Sequence, residues 1–308
     1  VPDPGSTGFT GTHLVNIGEI SNKGIELLLT GTPVITPNFV WDASVAFSTN
    51  DNELVSFNGS RAEQIFGSFA DVQRHREGFP MGGFWAYDVE RDANGEPIVR
   101  DDDGNIVENP VLDAPGQDVT VLSSCRWAPT DPTWNQAEEC DDIYMGPSRP
   151  TREAAFTSTF TLFNDLQIYA HFDYRGGHYQ WCAACSLGTR VDLNTWDVNT
   201  GGTPLNPDVS AAEVLALQSL QTKSHISKAD FIKFRELSLT YAIPERWTQS
   251  FGTRWSVTLS GRNLALWTKY KGKGDPEVQF NPNSNFDILD YASTPQTRRL
   301  SASVRVTF

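Results

Sequence analysis

The sequence predicts an all-β chain: antiparallel strands of a transmembrane β-barrel with long extracellular loops, incomplete as a barrel on its own. Three observations predict it. Apolar and polar residues alternate strictly along several segments, which gives a strand two different environments on its two faces. Those segments are longer than the ~5–6 residues usual for a strand in a globular protein and suit a tilted crossing of a bilayer. The connections between them alternate between short and very long, the pattern of bacterial outer-membrane barrels.

Seven strands follow in order. The first two are Lys23–Ile35 and Phe39–Ser48; in the second, Phe39, Trp41, Ala43, Val45 and Phe47 oppose Asp42, Ser44 and Ser48. Ala155–Leu162 is the third. In the fourth, Leu166–Arg175, the even positions Leu166, Ile168, Ala170, Phe172 and Tyr174 are greasy, and the odd positions Gln167, Tyr169, His171, Asp173 and Arg175 are wet. Phe231–Ile243 is the fifth. The sixth is Trp255–Arg262, with Trp255, Val257 and Leu259 against Ser256, Thr258 and Ser260. In the seventh, Leu300–Phe308, the apolar set is Leu300, Ala302, Val304, Val306 and Phe308.

Short links join these strands in pairs: Thr36-Pro37-Asn38, Phe163-Asn164-Asp165 and Pro244–Thr253. Between the pairs lie Thr49–Thr151, Gly176–Ala229 and Thr268–Thr294, too long to be structureless loops of a compact soluble domain. With the short turns periplasmic, the long loops are extracellular and the terminus at Phe308 is periplasmic. Phe39, Trp41, Phe163, Tyr241, Trp247 and Trp255 gather near the short turns, where amphipathic rings meet a membrane interface. The one helix signal is Asp208–Lys223, capped by Asp208 or Ser210, inside a long loop.

Composition narrows the function classes. With 39% hydrophobic and 20% charged residues in 308, the chain is that of a folded protein. No run approaches the ~18 apolar residues of a membrane helix, and Val1–Thr10 lacks the basic start and apolar core of a signal peptide. A formal charge of −14 speaks against nucleic acid. The acidic residues concentrate in Asp92–Asp118 and Asp131–Asp142, both in loops, as a solvated surface or a place for divalent cations.

The five histidines are scattered and no catalytic motif occurs, so the chain does not read as an enzyme and no catalytic residue is named. Glu90, Asp92, Asn94 and Asp101, around Gly95, have the oxygen spacing of a degenerate calcium loop. The competing account is an Asn-Gly hairpin turn. Apart from calcium, no cofactor is implied. The cysteines pair by position, Cys125 with Cys140 and Cys182 with Cys185, as disulfides of an oxidising compartment; zinc thiolates and free thiols are the alternatives. Loop aromatics are the ligand-binding candidates: Trp85, Tyr87, Trp127, Trp134, Tyr179, Trp181 and Trp196, although rings in long loops also serve to anchor those loops.

Particular strings resemble the SusC/RagA-type TonB-dependent transporters. They are Val15-Asn-Ile-Gly-Glu-Ile-Ser-Asn-Lys-Gly-Ile-Glu26, Phe231-Ile-Lys-Phe-Arg-Glu-Leu-Ser-Leu-Thr-Tyr-Ala-Ile-Pro244, and Ser260-Gly-Arg-Asn-Leu-Ala-Leu-Trp-Thr-Lys-Tyr-Lys-Gly272 followed by Asp275-Pro-Glu-Val278. Ser293-Thr-Pro-Gln-Thr-Arg-Arg-Leu300 through Phe308 completes the set. The resemblance implies that residues 1–308 are the carboxy-terminal portion of a twenty-two-stranded barrel whose plug and earlier strands lie elsewhere, because about seven strands do not close around a plug-sized lumen. It further implies the bacterial outer membrane, a SusD-like surface lipoprotein, the TonB complex, and oligosaccharides or peptides as cargo. Phe308 is then a terminal aromatic read by the barrel-assembly machinery. The rival reading is a secreted soluble β-protein acting as adhesin or binding module.

Overall fold

The computed structural model describes residues 18–59, 63–87, 89–101, 103, 105–108, 119–121, 143–188, 210–217, 223–248, 254–272, 274–277, 288–291 and 294–307. All seven expected long strands are present: β1 (Glu19–Thr36), β2 (Phe39–Ser56), β9 (Arg152–Leu162), β10 (Leu166–Gly176), β13 (Phe231–Ile243), β14 (Arg254–Thr268) and β16 (Arg299–Thr307). They form one antiparallel sheet in the order β1-β2-β9-β10-β13-β14-β16. Among the described residues β1 and β16 have a strand neighbour on one side only, so the sheet is not closed. Among the described residues no helix is long and apolar enough to cross a membrane.

Cross-strand register turns the alternation of each strand into continuous rows. One row runs Val34–Trp41–Phe160–Ile168–Leu239–Leu259–Ala302. The next toward the short turns runs Thr36–Phe39–Leu162–Leu166–Tyr241–Val257–Val304. Toward the long loops, Leu29–Val45–Phe156–Phe172–Phe234–Ala265 continues the same face. Phe172 and Phe234 stack there at 4.4 Å, and Phe160 lies against both Phe39 and Trp41. Ser158 is a polar intruder on this face; its hydroxyl accepts a hydrogen bond from the Trp41 indole at 3.0 Å, which satisfies both groups.

The opposite face near the short turns is a plate of hydroxyls. Its rows read Asp42–Thr159–Tyr169–Ser238–Ser260–Ser301 and Val40–Thr161–Gln167–Thr240–Thr258–Ser303. Hydroxyls bond to one another across strands, Thr240 with Thr258 at 3.0 Å and Ser260 with Ser301 at 2.7 Å. Pro33 falls at the register shift between Gly31 and Val34 on the edge strand β1, where a missing N–H costs no ladder bond.

The long loops fold into a cap with its own small sheets. β3 (Glu63–Phe66), β4 (Gln73–Arg76), β5 (Gly83–Ala86) and β8 (Ile143–Gly146) form one. β11 (Tyr179–Cys182) lies between β12 (Ile226–Lys228) and the parallel β15 (Leu289–Asp290), and β6 (Val99–Asp101) pairs with β7 (Val119–Val121). Val72, Phe84, Ala86, Trp181, Ile226 and Leu289 make the central core, joined by a hydrogen bond from the Ile288 N–H to the Gln73 side chain at 2.8 Å. The expected loop helix is present as α2 (Ala211–Leu217), shorter than its sequence signal, with Ser210 as its N-cap: the Glu213 N–H donates to Ser210 Oγ. Two further short helices are α1 (Ala183–Gly188) and α3 (Glu245–Thr248).

Candidate functional site

Near the long-loop end the polar face changes from hydroxyls to charges, and a β-bulge makes the change. His171 pairs with Glu236 and Phe172 with Phe234, so Arg235 has no partner on β10; it has none on β14 either, where Phe234 faces Ala265 and Glu236 faces Arg262. The extra residue lets Lys233, Arg235 and Glu236 all serve the polar face while Phe234 and Leu237 stay on the apolar one. Asn263, with φ of 52°, absorbs the matching irregularity on β14.

Arg235 is the centre of an ionic network. Its Nε donates to Asp173 at 2.6 Å, and its two terminal nitrogens grip the Glu277 carboxylate at 2.7 and 2.6 Å, a forked geometry that only guanidinium supplies. Lys233, 4% exposed, donates to Asp275 at 2.7 Å and to Glu277 at 2.6 Å. His171 lies 2.9 Å from Asp173, and the Gln296 amide reaches Glu277 at 3.2 Å. Burial alone would raise the Glu277 carboxyl, but the Arg235 and Lys233 hydrogen bonds outweigh it and hold it at about 2.

Asp275 and Glu277 belong to the segment that leaves β14. Its start is tied to the wall by the Lys269 N–H to the Asp230 carbonyl at 2.9 Å. Its middle is tied to the cap: the Tyr270 hydroxyl and the Gly274 N–H both donate to Asp290, at 3.0 and 3.1 Å. A Cβ on Gly274 would sit 2.6 Å from both Asp290 carboxylate oxygens, so the close approach requires glycine. Tyr270 is raised by burial and by the Asp290 charge.

Among the described residues the candidate aromatics do not assemble into one open surface. Trp181, 1% exposed, is in the cap core. Trp85, 4% exposed, is enclosed by Phe79 and Tyr144 with the Arg76 guanidinium 4.7 Å from its ring. Their faces are covered by protein, because large rings supply the apolar area a loop cap needs. Tyr179 packs on the same core, and Tyr87 is half-buried. Trp127, Trp134 and Trp196 lie outside the described residues, as do Cys125, Cys140 and Phe308. Sequence reasoning missed the pair Phe69 and Tyr291, whose rings meet at 4.6 Å with Phe69 exposed; 222 residues of sequence separation hide it.

The calcium candidates Glu90, Asp92, Asn94 and Asp101 bond within their own turns and to a neighbouring arginine. Asp92 spends its carboxylate on its own turn, accepting from the Asn94 and Glu96 N–H groups at 2.8 and 2.9 Å, and the backbone bond from Glu96 leads the causes that lower its pKa. Asp101 does the same for Asn105 at 2.8 Å. Glu90 lies 3.5 Å from Arg100, and Asn94 donates its amide to Asp92. Two successive hairpins therefore use these oxygens separately, and among the described residues no three acidic, histidine or cysteine side chains converge on a metal position. Cys182 and Cys185 form a disulfide at the junction of β11 and α1, beside Ala229 and Tyr270.

His178, between β10 and β11, is buried with Nδ1 unpartnered, and burial lowers it to about 4; Asp230 opposes the shift and Arg175 adds to it. A histidine depressed in the fold binds its proton more readily unfolded, so the junction is stable above the ordinary value of 6.5 and loses stability as pH falls toward 4. Amide exchange of residues 177–182, corrected for intrinsic rates, is expected to quicken from pH 6.5 to 4. The slope should flatten in His178→Gln.

No family model matches the chain. The TonB-dependent receptor SusC of Bacteroides thetaiotaomicron is 26% identical over 298 residues, covering 92% of this chain and 26% of that relative. TonB-dependent receptor P3 of Formosa agariphila is 25% identical over 327 residues, covering 100% of this chain and 30% of its own length. The chain thus spans less than a third of these curated relatives. Solved structures of the RagAB peptide transporter share the fold: the closed-closed state of the importer has a TM-score of 0.68 at 20% identity, and a second structure 0.69 at 19%. Each covers 100% of this chain, which in turn covers 32% and 31% of them. In sequence and in the fold of its sheet, the chain is similar to the SusC/RagA-type TonB-dependent receptors over a stretch of their length.

Proposed function

We propose that the chain is the carboxy-terminal part of the barrel wall of an outer-membrane active transporter, driven through the TonB complex, that imports bulky nutrients of the oligosaccharide or peptide class. The apolar rows face lipid, the hydroxyl and charged rows face the lumen, the short turns are periplasmic and the folded cap is extracellular. The observation that carries this reading is the apolar face that runs across seven strands whose outer edges have no strand partner among the described residues. An apolar face of this extent is stable only against lipid or another apolar layer, and the edges need strand partners in lipid. The remaining strands and a plug supply those partners and fill the lumen; a SusD-like lipoprotein covers the cap side, and the barrel-assembly machinery inserts the whole. The role is transport, with no catalytic step.

The experiment uses the full-length protein in its own cell. It is expected in the outer-membrane fraction, migrating faster in unheated than in heated detergent gels, and cells lacking it should fail to take up at least one labelled oligosaccharide or peptide mixture in a TonB-dependent way. Recovery from the culture medium, with no heat-modifiable form, would establish the secreted adhesin instead.

A further inference from the structure

Two sets of anchors hold one short segment and do different jobs. At its end, Asp275 and Glu277 are held to the wall by Lys233 and Arg235, side chains of the barrel sheet. In its middle, Tyr270 and Gly274 are held to the cap by Asp290, which is 1% exposed. Asp290 belongs to β15, which is built into the cap: Cys182 pairs with Asp290 and Trp181 with Leu289 along β11, and Leu289 is fully buried in the core. Tyr270 also packs against Cys182, so the disulfide stiffens the surface on which this end rests.

We propose that residues 269–277 are a strap that couples the charged lumenal wall to the extracellular cap, so that the cap moves relative to the wall only when the strap gives up one of its two anchors. The geometry favours a strap over a passive loop. Lys269 at its start and Asp275 and Glu277 at its end are bonded to the wall, Tyr270 and Gly274 between them are bonded to the cap, and between the described parts only Lys273 intervenes. The Glu277 N–H turns back on its own Asp275 carboxylate at 3.0 Å, which presents the two acids together to the two bases. The wall anchor is stiff, since a forked Arg–carboxylate pair fixes orientation as well as distance. The cap anchor is a single buried carboxylate with two neutral donors, so it is the weaker of the two. Opening is therefore expected to begin at Asp290, leaving the strap on the wall.

The coupling rests on the transporter reading only for what the motion would serve. Its test is independent of cargo. In full-length protein held in phospholipid nanodiscs, amide exchange is followed in wild type, Glu277→Gln, Asp290→Asn and the exchanged pair Arg235→Glu with Glu277→Arg. Glu277→Gln should speed exchange at least tenfold in residues 269–272 and also in β11 and β15, with β9 and β10 unchanged. Asp290→Asn should produce the same cap effect from the cap side, and the exchanged pair should recover part of the Glu277→Gln effect. Exchange that rises only at residues 275–277 with the cap at its wild-type rate would overturn the strap. So would an equal rise throughout the sheet, which would make the network ordinary wall stability. Uptake that fails in wild type while these exchange patterns hold would refute the transporter reading and leave the strap standing.

Discussion

Arginine placed at Ile168 or Leu259 is expected to cost the full-length barrel about 2–4 kcal/mol each, the penalty for a cation facing lipid near the bilayer midplane. Both residues stand in the row that runs through Leu239, with two apolar rows on the side of the short turns and further rows toward the loops. The same change at Ser256 or Ser303, on the polar face, should cost under about 1 kcal/mol, since a lumenal cation keeps its water. The measurement is reversible unfolding in phospholipid vesicles, followed by tryptophan fluorescence. A graded answer is expected along the strand, because Val304 and Val306 lie toward the short turns and an interfacial Arg reaches the headgroups. Equal tolerance on both faces would mean that neither meets lipid, and equal damage on both would point to a soluble sandwich.

How far the sequence revealed this fold depends on which forces shaped each part. All seven long strands follow from alternation, since a residue that faces lipid must be apolar and its neighbour, facing the lumen, need not be. Ser158 broke that rule visibly, and only the Trp41 bond explains it. The bulge at Arg235 was also written in the sequence. Lys233 and Arg235 stand at the odd positions of β13 where Leu237, Leu239 and Tyr241 stand later, so the phase slips within one strand. A single alternating pattern laid over Phe231–Ile243 conceals the slip. The cap strands, four residues or fewer, are too short for a period to be read. Trp85 and Trp181 were ambiguous for a different reason: a ring that anchors a loop core and a ring that stacks on a ligand have the same composition around them, and burial alone separates them. The pairing of Lys233 and Arg235 with Asp275 and Glu277 joined two of the strings that carried the resemblance, but spacing along the chain cannot show that they touch.

Removal of Arg235 is the other change expected to have a large effect, because it unpairs acids rather than deleting a favourable contact. Arg235→Ala leaves Asp173 with His171 as its remaining partner and Glu277 with Lys233, the Gln296 amide and Arg175 at 3.8 Å, both carboxylates being largely shielded from water. Breaking a buried ion pair from one side costs about 3–5 kcal/mol. Lys233 softens this on the Glu277 side, so about 3 kcal/mol is expected. Arg235→Met combined with Glu277→Met should cost clearly less than the sum of the two single changes, since the double variant strands no charge at that contact. The pH dependence has a definite sign. Glu277 is depressed to about 2 from an ordinary 4.5, so its contribution is complete above pH 4.5 and is lost as pH falls toward 2. Unfolding curves for the four proteins at pH 7 and pH 3 should therefore converge at the lower pH. Additive costs, with the same separation at both pH values, would show that Arg235 stabilises the wall through packing of its stem and that the network contributes little.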